Sequence, residues 1–152
     1  MKIIIVTLDQ LEQITPLFDA YRVFYGQTSD LRAAREFLGQ RLLLQETVLF
    51  MALENEQPLG FTQVFPSFTS VGMQRLWILN DLYVIPTWRG KRIGERLIER
   101  VLEHAKQSGA KGVVLETAHT NVSGQKLYER MGFVREDLEY RTYFKTVGQH
   151  GF

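Results

Sequence analysis

The chain runs Asp81-Leu82-Tyr83-Val84-Ile85-Pro86-Thr87-Trp88-Arg89-Gly90-Lys91-Arg92-Ile93-Gly94 where an apolar segment passes into a basic turn that contains glycine. The apolar segment, Leu76 to Ile85, ends at a proline, and this predicts a strand. After the turn, apolar residues recur three and four positions apart, which predicts a helix from Arg92 to Lys106. The sequence around this turn therefore indicates a strand, a turn and a helix in succession.

The same unit continues into a second strand. Gly109 ends the helix, and the nearly all-apolar run Gly112 to Ala118 predicts the strand. A strand, a helix and a strand in this order form a right-handed crossover with parallel strands, and ligands gather at their carboxyl ends. A regular first strand would place Trp77, Leu79 and Asp81 on one face.

Further elements surround this unit. Before it, the sequence predicts one strand, two amphipathic helices and a hairpin of two strands; after it, a short helix and one or two final strands rich in Tyr and Phe. The predicted bounds are Ile3 to Val6, Leu11 to Phe24, Asp30 to Gln45, Val48 to Leu53, Leu59 to Phe65, Val122 to Met131 and Phe133 to Val147. This order favours an α/β (α+β) fold with a mixed sheet, formed as one domain by residues 1–152.

The composition excludes several classes of protein. Of 152 residues, 45% are hydrophobic and 23% charged, as in one compact globular domain. There is no cysteine, which excludes disulfides, thiol nucleophiles and cysteine-ligated zinc and favours a cytoplasmic location. The formal net charge of +1 gives no reason to expect nucleic acid as a partner. No apolar stretch approaches the roughly 20 residues of a membrane helix, so no membrane partner is expected.

The basic turn has the chemistry of an anion site. Backbone N–H groups at a helix start have no partners within the helix, and the helix dipole adds partial positive charge there. Many turns of this kind carry glycine and lysine for conformational reasons, so the pattern alone leaves both interpretations open. The glycine spacings of a P-loop and of a dinucleotide fingerprint are both missing from the sequence.

Two separated motifs resemble the GCN5-related N-acetyltransferase (GNAT) superfamily. Its signature, Gln/Arg-x-x-Gly-x-Gly/Ala after an apolar strand, is matched by Arg89, Ile93 and Gly94, while Arg92 stands in place of the first glycine. Downstream, the run Leu127-Tyr128-Glu129-Arg130-Met131-Gly132-Phe133 is similar to that superfamily's LYE-x-x-GF ending. In coarse form the resemblance extends over the whole chain.

The resemblance implies a fold and a set of binding residues. The fold is a mixed, mostly antiparallel central sheet flanked by helices, with one parallel crossover and a splayed cleft for the cofactor. Acetyl-CoA, as cosubstrate, would place its pyrophosphate on the turn and its pantetheine along the preceding strand, and relatives commonly form homodimers. The implied cofactor-binding residues are Leu82, Tyr83, Val84, Arg89, Gly90, Lys91, Arg92, Ile93, Gly94, Asn121, Gln125 and Tyr128.

The resemblance also implies roles in catalysis. An alkylammonium has a pKa of about 10.4, so near neutral pH only about one acceptor molecule in a thousand is the free amine, and a base must help. Asp81 and Glu116 are the candidate bases, and Tyr128 the candidate acid that protonates the leaving sulfur. Other interpretations stay open: a core aromatic for Tyr128, a structural hydrogen-bond acceptor for Asp81, a solvent-facing Glu116 and a helix cap for Asn121.

The sequence thus predicts an enzyme, an acetyl-CoA-dependent N-acetyltransferase that acts on a primary amine by direct attack. The acceptor is a small amine, a polyamine or a protein lysine. A noncatalytic acyl-CoA-binding module is the alternative, because Asn80 stands where many relatives carry Glu and Arg92 where they carry Gly. A nucleic-acid patch on the helix is disfavoured, because its arginines alternate with Glu95, Glu99 and Glu103.

Two further groups of residues carry weaker predictions. The histidines His104, His119 and His150 show no metal-ligand spacing, and His104 is expected on the charged face of the helix. Aromatic residues of the first half are candidates for an acceptor pocket: Tyr21, Phe24, Tyr25, Phe65 and Phe68. The last predicted strand, with Tyr140, Tyr143 and Phe144, is expected to complete the sheet or to pair with a second subunit.

Overall fold

The structure, a computed structural model, describes residues 1–148. The chain forms two compact units, Met1–Glu116 and a second that begins at Thr117. Among the described residues, no helix is long and apolar enough to cross a membrane.

The first unit contains a five-stranded sheet and three helices. Its elements in chain order are β1 (Lys2–Ile5), α1 (Leu11–Phe24), α2 (Leu31–Leu43), β2 (Val48–Glu54), β3 (Gln57–Thr69), β4 (Gln74–Val84), α3 (Ile93–Gln107) and β5 (Gly112–Val114). The strands lie in the order β1-β2-β3-β4-β5. All neighbours are antiparallel except β4 and β5, which are parallel and joined by α3. The predicted mixed, mostly antiparallel sheet with one parallel crossover is confirmed.

Helices cover both faces of this sheet. On one face, α1 and α2 pack Ile14 and Leu38, both fully buried, against Met51 and Phe61. On the other, the apolar stripe of α3 is buried, as its periodicity predicts: Ile93, Leu97, Ile98, Val101 and Ala105. Burial of one large apolar side chain contributes about 1.5–3 kcal/mol, so these two layers hold the sheet in place.

A β-bulge in β4 changes which way its side chains face. Gln63 lies opposite Asp81 and the next pair is Val64 with Leu79, so Asn80 is the extra residue. Trp77 consequently faces α3, where its Nε1 donates to Ser108 Oγ at 2.9 Å. Asp81, beyond the bulge, faces α1. Trp77 and Asp81 would share a face only in a regular strand, and the bulge removes that condition.

The second parallel strand is shorter than predicted. β5 pairs with β4 only where Leu76–Ile78 lies beside Gly112–Val114. Residues 115–118 have no strand neighbour and are not in a strand, so the predicted extension to Ala118 is wrong. Glu116 accordingly lies in an exposed connection and not on a strand.

The polar face of α3 also differs from the prediction. His104 is half-buried, with its ring centroid 5.7 Å from that of Phe50 and 5.1 Å from that of Trp77. Burial lowers the pKa of His104, and the positive charges of Arg100 and Arg75 lower it further. Arg100 lies over the Phe50 ring at 4.7 Å. These two side chains pack against the sheet, because their long or flat apolar parts cover Phe50.

In its described residues, 117–148, the second unit contains one helix, α4 (Val122–Arg130), which ends before Gly132 at a φ of +95°. The predicted Tyr- and Phe-rich final strand is wrong for the described residues, since 133–148 contain no strand. Its side chains are largely exposed: Tyr140 78%, Tyr143 88% and Phe144 90%. Within residues 1–148 no cluster of His, Asp and Glu is suited to a metal ion. His150 lies outside the described residues.

Candidate active site

The turn before α3 has a left-handed backbone at two positions. Gly90 has a φ of +78°, and Arg92, the N-cap residue of α3, has a φ of +64°. Arg92 makes no side-chain capping hydrogen bond, and the first helical bond runs from Arg96 N–H to its carbonyl at 3.1 Å. The N–H groups at the helix start thus have no partner within the helix and carry the positive end of its dipole.

Basic side chains surround the turn. Arg89 donates from Nε to the Val84 carbonyl at 2.9 Å, which ties the turn to the end of β4. Its guanidinium lies 4.9 Å from the Phe24 ring centroid. A Cβ placed on Gly90 would meet no atom within 4 Å, so the space above the turn is open. An exposed, positively charged cradle of this kind fits a phosphate group.

A first cleft opens where β4 and β5 part. One edge of β4 pairs with β3. Its other edge pairs with β5 only as far as Ile78, and beyond that point it has no strand neighbour in the described part of the chain. The cleft has a volume of about 240 Å³. Its walls are formed by Ile78, Leu79, Asn80, Val114, Leu115 and Glu116. The unpaired edge of β4 continues from this cleft through Leu82, Tyr83 and Val84 towards the basic turn, as the splayed cleft of the predicted fold requires.

A second, larger cleft lies between the helical pair α1–α2 and the sheet. Its volume is about 470 Å³, within the usual range of small-molecule sites. Its walls are mostly apolar, with Asp81, Gln63 and Asn80 from the sheet and Arg22 from α1 as the polar exceptions. Of the aromatic residues named as candidates for an acceptor pocket, Tyr21 and Phe65 line this cleft, whereas Phe24, Tyr25 and Phe68 do not.

Asp81 is the buried carboxylate of the larger cleft, with 6% of its surface exposed. Its Oδ1 accepts hydrogen bonds from the Tyr21 hydroxyl at 2.7 Å and from Asn80 Nδ2 at 3.1 Å. Its Oδ2 accepts from Gln63 Nε2 at 2.7 Å. Gln63 is itself oriented by Thr47, whose hydroxyl donates to Gln63 Oε1 at 2.7 Å. An ionised carboxylate has about four acceptor positions, so this network leaves roughly one on Oδ2 for a ligand or a proton.

Asn80 lines both clefts. The bulge that exposes Asn80 also turns Asp81, the next residue, towards the larger cleft. Glu116, the other predicted base, lines only the smaller cleft. Sequence reasoning did not identify Gln63 as part of the site; a glutamine inside the apolar run Leu59 to Phe65 was the signal available for it.

The predicted site residues of the second unit are held by local contacts. Asn121 caps α4, since its Oδ1 accepts from Gly124 N–H at 3.2 Å. Gln125 donates from Nε2 to the carbonyls of Ala118 at 3.1 Å and His119 at 2.9 Å, which fixes the loop before the helix. Tyr128 is half-buried, with its ring 6.0 Å from that of Phe133. These contacts show the cap at Asn121, and the ligand-binding roles of all three stay predictions.

The mixed sheet with its parted parallel strands has the fold of an acyltransferase, and the comparisons with known proteins agree. Residues 11–133 match the family described as "Acetyltransferase (GNAT) family", and the chain belongs to this family. It is an N-acetyltransferase at this general level, and the predicted resemblance is confirmed.

Individual relatives support the assignment. The chain is 46% identical to the "Uncharacterized N-acetyltransferase YhfO" of Bacillus subtilis (strain 168), over 88% of this chain and 89% of that protein. It is 37% identical to a protein solved as "Crystal structure of a probable acetyltransferase", with a TM-score of 0.91 over 98% of this chain and 99% of that one. A Clostridium acetobutylicum protein, described as a "predicted acetyltransferase with acetyl-CoA", shares the fold at 16% identity, with a TM-score of 0.74 over 93% of this chain and 95% of that one.

Proposed function

We propose that this enzyme transfers the acetyl group of acetyl-CoA to a primary amine that binds in the larger cleft. The observation that carries the proposal is that Asn80 lines both clefts, with Asp81, the next residue, in the larger one. One cleft continues along the free edge of β4 to the basic turn, and the other contains a buried carboxylate. A relative of the same fold is described with acetyl-CoA, which supports this cosubstrate.

The residues present fit acetyl-CoA. In this proposal the N–H groups at the start of α3, with Arg92 and Lys91 beside them, hold the pyrophosphate. The edge of β4 from Leu82 to Val84 provides backbone donors and acceptors for the pantetheine amides. When bound, the thioester supplies an activated acetyl group.

Asp81 is proposed to remove a proton from the acceptor ammonium. The position left on its Oδ2 receives the N–H, and Tyr21, Asn80 and Gln63 hold the carboxylate in place. The amine nitrogen then bonds to the acetyl carbon as the carbon–sulfur bond breaks. A second proton leaves the nitrogen and one proton reaches the sulfur, for which Tyr128 is the proposed donor. The products are an acetamide, the free thiol and one released proton.

Glu116 is the second candidate base. It is exposed and lines the smaller cleft, which in this proposal holds the cosubstrate, so it is suited to accept a proton through water. Asp81 is favoured because burial and three hydrogen-bond donors fix its position, and positioned groups transfer protons more efficiently.

Homodimer formation and a cytoplasmic location complete the proposal. The segment 138–147 exposes Leu138 at 87% and Phe144 at 90%, and apolar surface of this kind favours a partner. Light scattering at micromolar concentration is expected to give about twice the 17.7 kDa of one chain. A mass near 17.7 kDa would contradict the dimer.

The function itself is tested with purified protein, acetyl-CoA and a panel of amines, by following the release of free thiol. Calorimetry measures the binding of acetyl-CoA alone. Amine-dependent thiol release, together with an acetylated product of the expected mass, supports the transferase. Binding of acetyl-CoA without transfer to any amine favours the noncatalytic acyl-CoA-binding module, and no binding at millimolar cosubstrate would overturn the proposal.

A further inference from the structure

The charges in the larger cleft restrict its ligand. Asp81 and Arg22 are the only two ionisable side chains, apart from the Tyr21 phenol, among the described residues that line it. The carboxylate of Asp81 lies on the sheet, and the guanidinium comes from α1 beside the loop that leads to α2. A ligand with two or more positive charges would therefore meet one carboxylate and one repelling arginine. This pattern disfavours a polyamine.

Arg22 can donate hydrogen bonds to a ligand in this cleft. Its Nη1 donates to the Thr28 carbonyl over 3.4 Å, a long hydrogen bond that occupies one of five guanidinium N–H groups. The neighbouring Asp19 carboxylate is already bound by Ser29 Oγ at 2.6 Å and by Asp30 N–H at 2.8 Å. Those bonds lower the pKa of Asp19 and keep it ionised, the Ser29 hydroxyl contributing most. Asp19 thereby fixes the loop that Arg22 contacts. The positive charge of Arg22 also lowers the Asp19 pKa, by less than the two hydrogen bonds do, and its bond to Thr28 uses only one of its five N–H groups.

The walls between these charges are apolar. Phe18 and Phe37 are stacked, with centroids 6.0 Å apart and planes within 4° of each other. Ala33 and Ala34, at the start of α2, leave room beside them where larger side chains would fill the cleft. An apolar or aromatic body is therefore favoured alongside the two polar groups.

We infer that the acceptor is an amino acid-like zwitterion, with its ammonium at Asp81, an apolar or aromatic body along Phe18 and Phe37, and a carboxylate at Arg22. This inference rests on the proposed function, because it assigns the larger cleft to the acceptor. A guanidinium binds a carboxylate through paired hydrogen bonds, whereas a lysine at the same place would offer only a point charge. Arg22 is thus a specificity-determining residue.

The test compares matched pairs of amines that differ only in the carboxylate: phenylalanine against phenethylamine, and δ-aminovalerate against pentylamine, with spermidine as the polycation. Binding is measured by calorimetry with coenzyme A present, and kcat/KM by thiol release. We expect the carboxylate-bearing member of at least one pair to bind about tenfold more tightly. The pair that shows the preference distinguishes an α-amino acid from an amine with a distant carboxylate.

Variants of Arg22 test whether this residue causes the preference for carboxylate-bearing amines. Arg22→Gln is expected to abolish this preference by raising KM for the carboxylate-bearing amine alone. Arg22→Lys is expected to keep part of the preference. Arg32→Gln, an exposed arginine of α2 paired with Glu36, is the matched control and should leave it unchanged. Ala33→Leu should exclude the phenyl compounds without changing the affinity for acetyl-CoA.

Equal binding within both pairs, tighter binding of spermidine, or a preference that persists in Arg22→Gln would overturn the inference. Because binding is measured separately from transfer, a carboxylate preference in binding supports the inference even if no amine is acetylated. Acetylation without that preference would leave the proposed function in place and exclude the zwitterion.

Discussion

The Tyr21 hydroxyl donates a 2.7 Å hydrogen bond to Oδ1 of Asp81, from a helix to a strand 60 positions later in the chain. The Tyr21 ring also packs edge-on against Phe61, with centroids 5.4 Å apart. The same side chain therefore belongs to the core and to the candidate site. The carboxylate is held by the packing of α1 on the sheet, so its position depends on the fold being intact.

Asp81→Asn tests the proposed base. An amide in this place cannot take a proton from the acceptor, so turnover should fall by roughly 10² to 10⁴ while acetyl-CoA binding is retained. Steady-state kinetics and calorimetry measure the two effects. Asp9→Asn, a change at an exposed carboxylate near the start of α1, is the matched control. Turnover within a factor of two of wild type would show that Asp81 is a structural acceptor only.

Tyr128→Phe separates the acid role from packing. The substitution removes only the oxygen, so the ring contact with Phe133 and the melting temperature should be kept. If the phenol donates a proton to the leaving sulfur, kcat should fall by roughly 10² to 10⁴. Tyr140→Phe, at a side chain 78% exposed, controls for the loss of a tyrosine hydroxyl. Full activity in a folded Tyr128→Phe protein would refute the acid role.

Arg92→Gly should change stability and affinity in opposite directions. The left-handed conformation destabilises a residue with a Cβ by about 1–2 kcal/mol. Glycine avoids this strain but loses more backbone entropy on folding, which cancels part of the gain in stability. We expect a melting temperature a few degrees higher, together with weaker binding of acetyl-CoA, because the guanidinium near the phosphates is lost. Arg92→Ala should weaken binding without the gain in stability. Unchanged or tighter binding in both variants would identify Arg92 as a surface charge only.

His104 should make the fold sensitive to mild acid. Burial lowers the pKa of His104 in the folded state, whereas the unfolded value is about 6.5. As the pH falls below about 6.5, the unfolded chain binds a proton that the folded chain resists, so the free energy of unfolding decreases until the folded pKa is passed. Urea unfolding at pH 7.5 and 5.5 should show this loss, and His104→Gln should reduce it. An equal loss in both proteins would contradict the assignment.

Gly60→Ala should disturb the edge along which the cosubstrate is proposed to lie. A Cβ on Gly60 would approach the Tyr83 carbonyl oxygen to 2.6 Å and Val84 Cα to 3.2 Å, so β3 and β4 would have to separate. We expect a loss of about 1–3 kcal/mol in the free energy of unfolding, measured with urea. Gly112→Ala, where the added carbon meets nothing within 4 Å, should cost much less. Equal effects of the two changes would show that close packing at Gly60 is unimportant.

The sequence by itself determined the family and the order of the elements as far as α4, but not the end of the chain, where a strand was predicted and none is found in residues 133–148. The apolar stripe of α3 and the basic turn before it are local patterns, set by side-chain spacing and backbone conformation over a few residues. Helix α1 accordingly has the predicted bounds, Leu11–Phe24. The proposals for Asp81 and Arg92 as site residues rest on local sequence in the same way, because their positions follow from the strand end and the turn motif.

Only the tertiary structure decided where β4 changes face, where β5 ends and which side chains meet in the larger cleft. The bulge at Asn80 depends on the register between β3 and β4, which is a property of two strands and not of either alone. β5 ends where its hydrogen-bonded neighbour parts from it, although its apolar sequence continues to Leu115. Tyr21, Gln63 and Asp81 come together because α1 packs on the sheet, and contacts between residues far apart in the chain leave no local pattern from which they can be predicted.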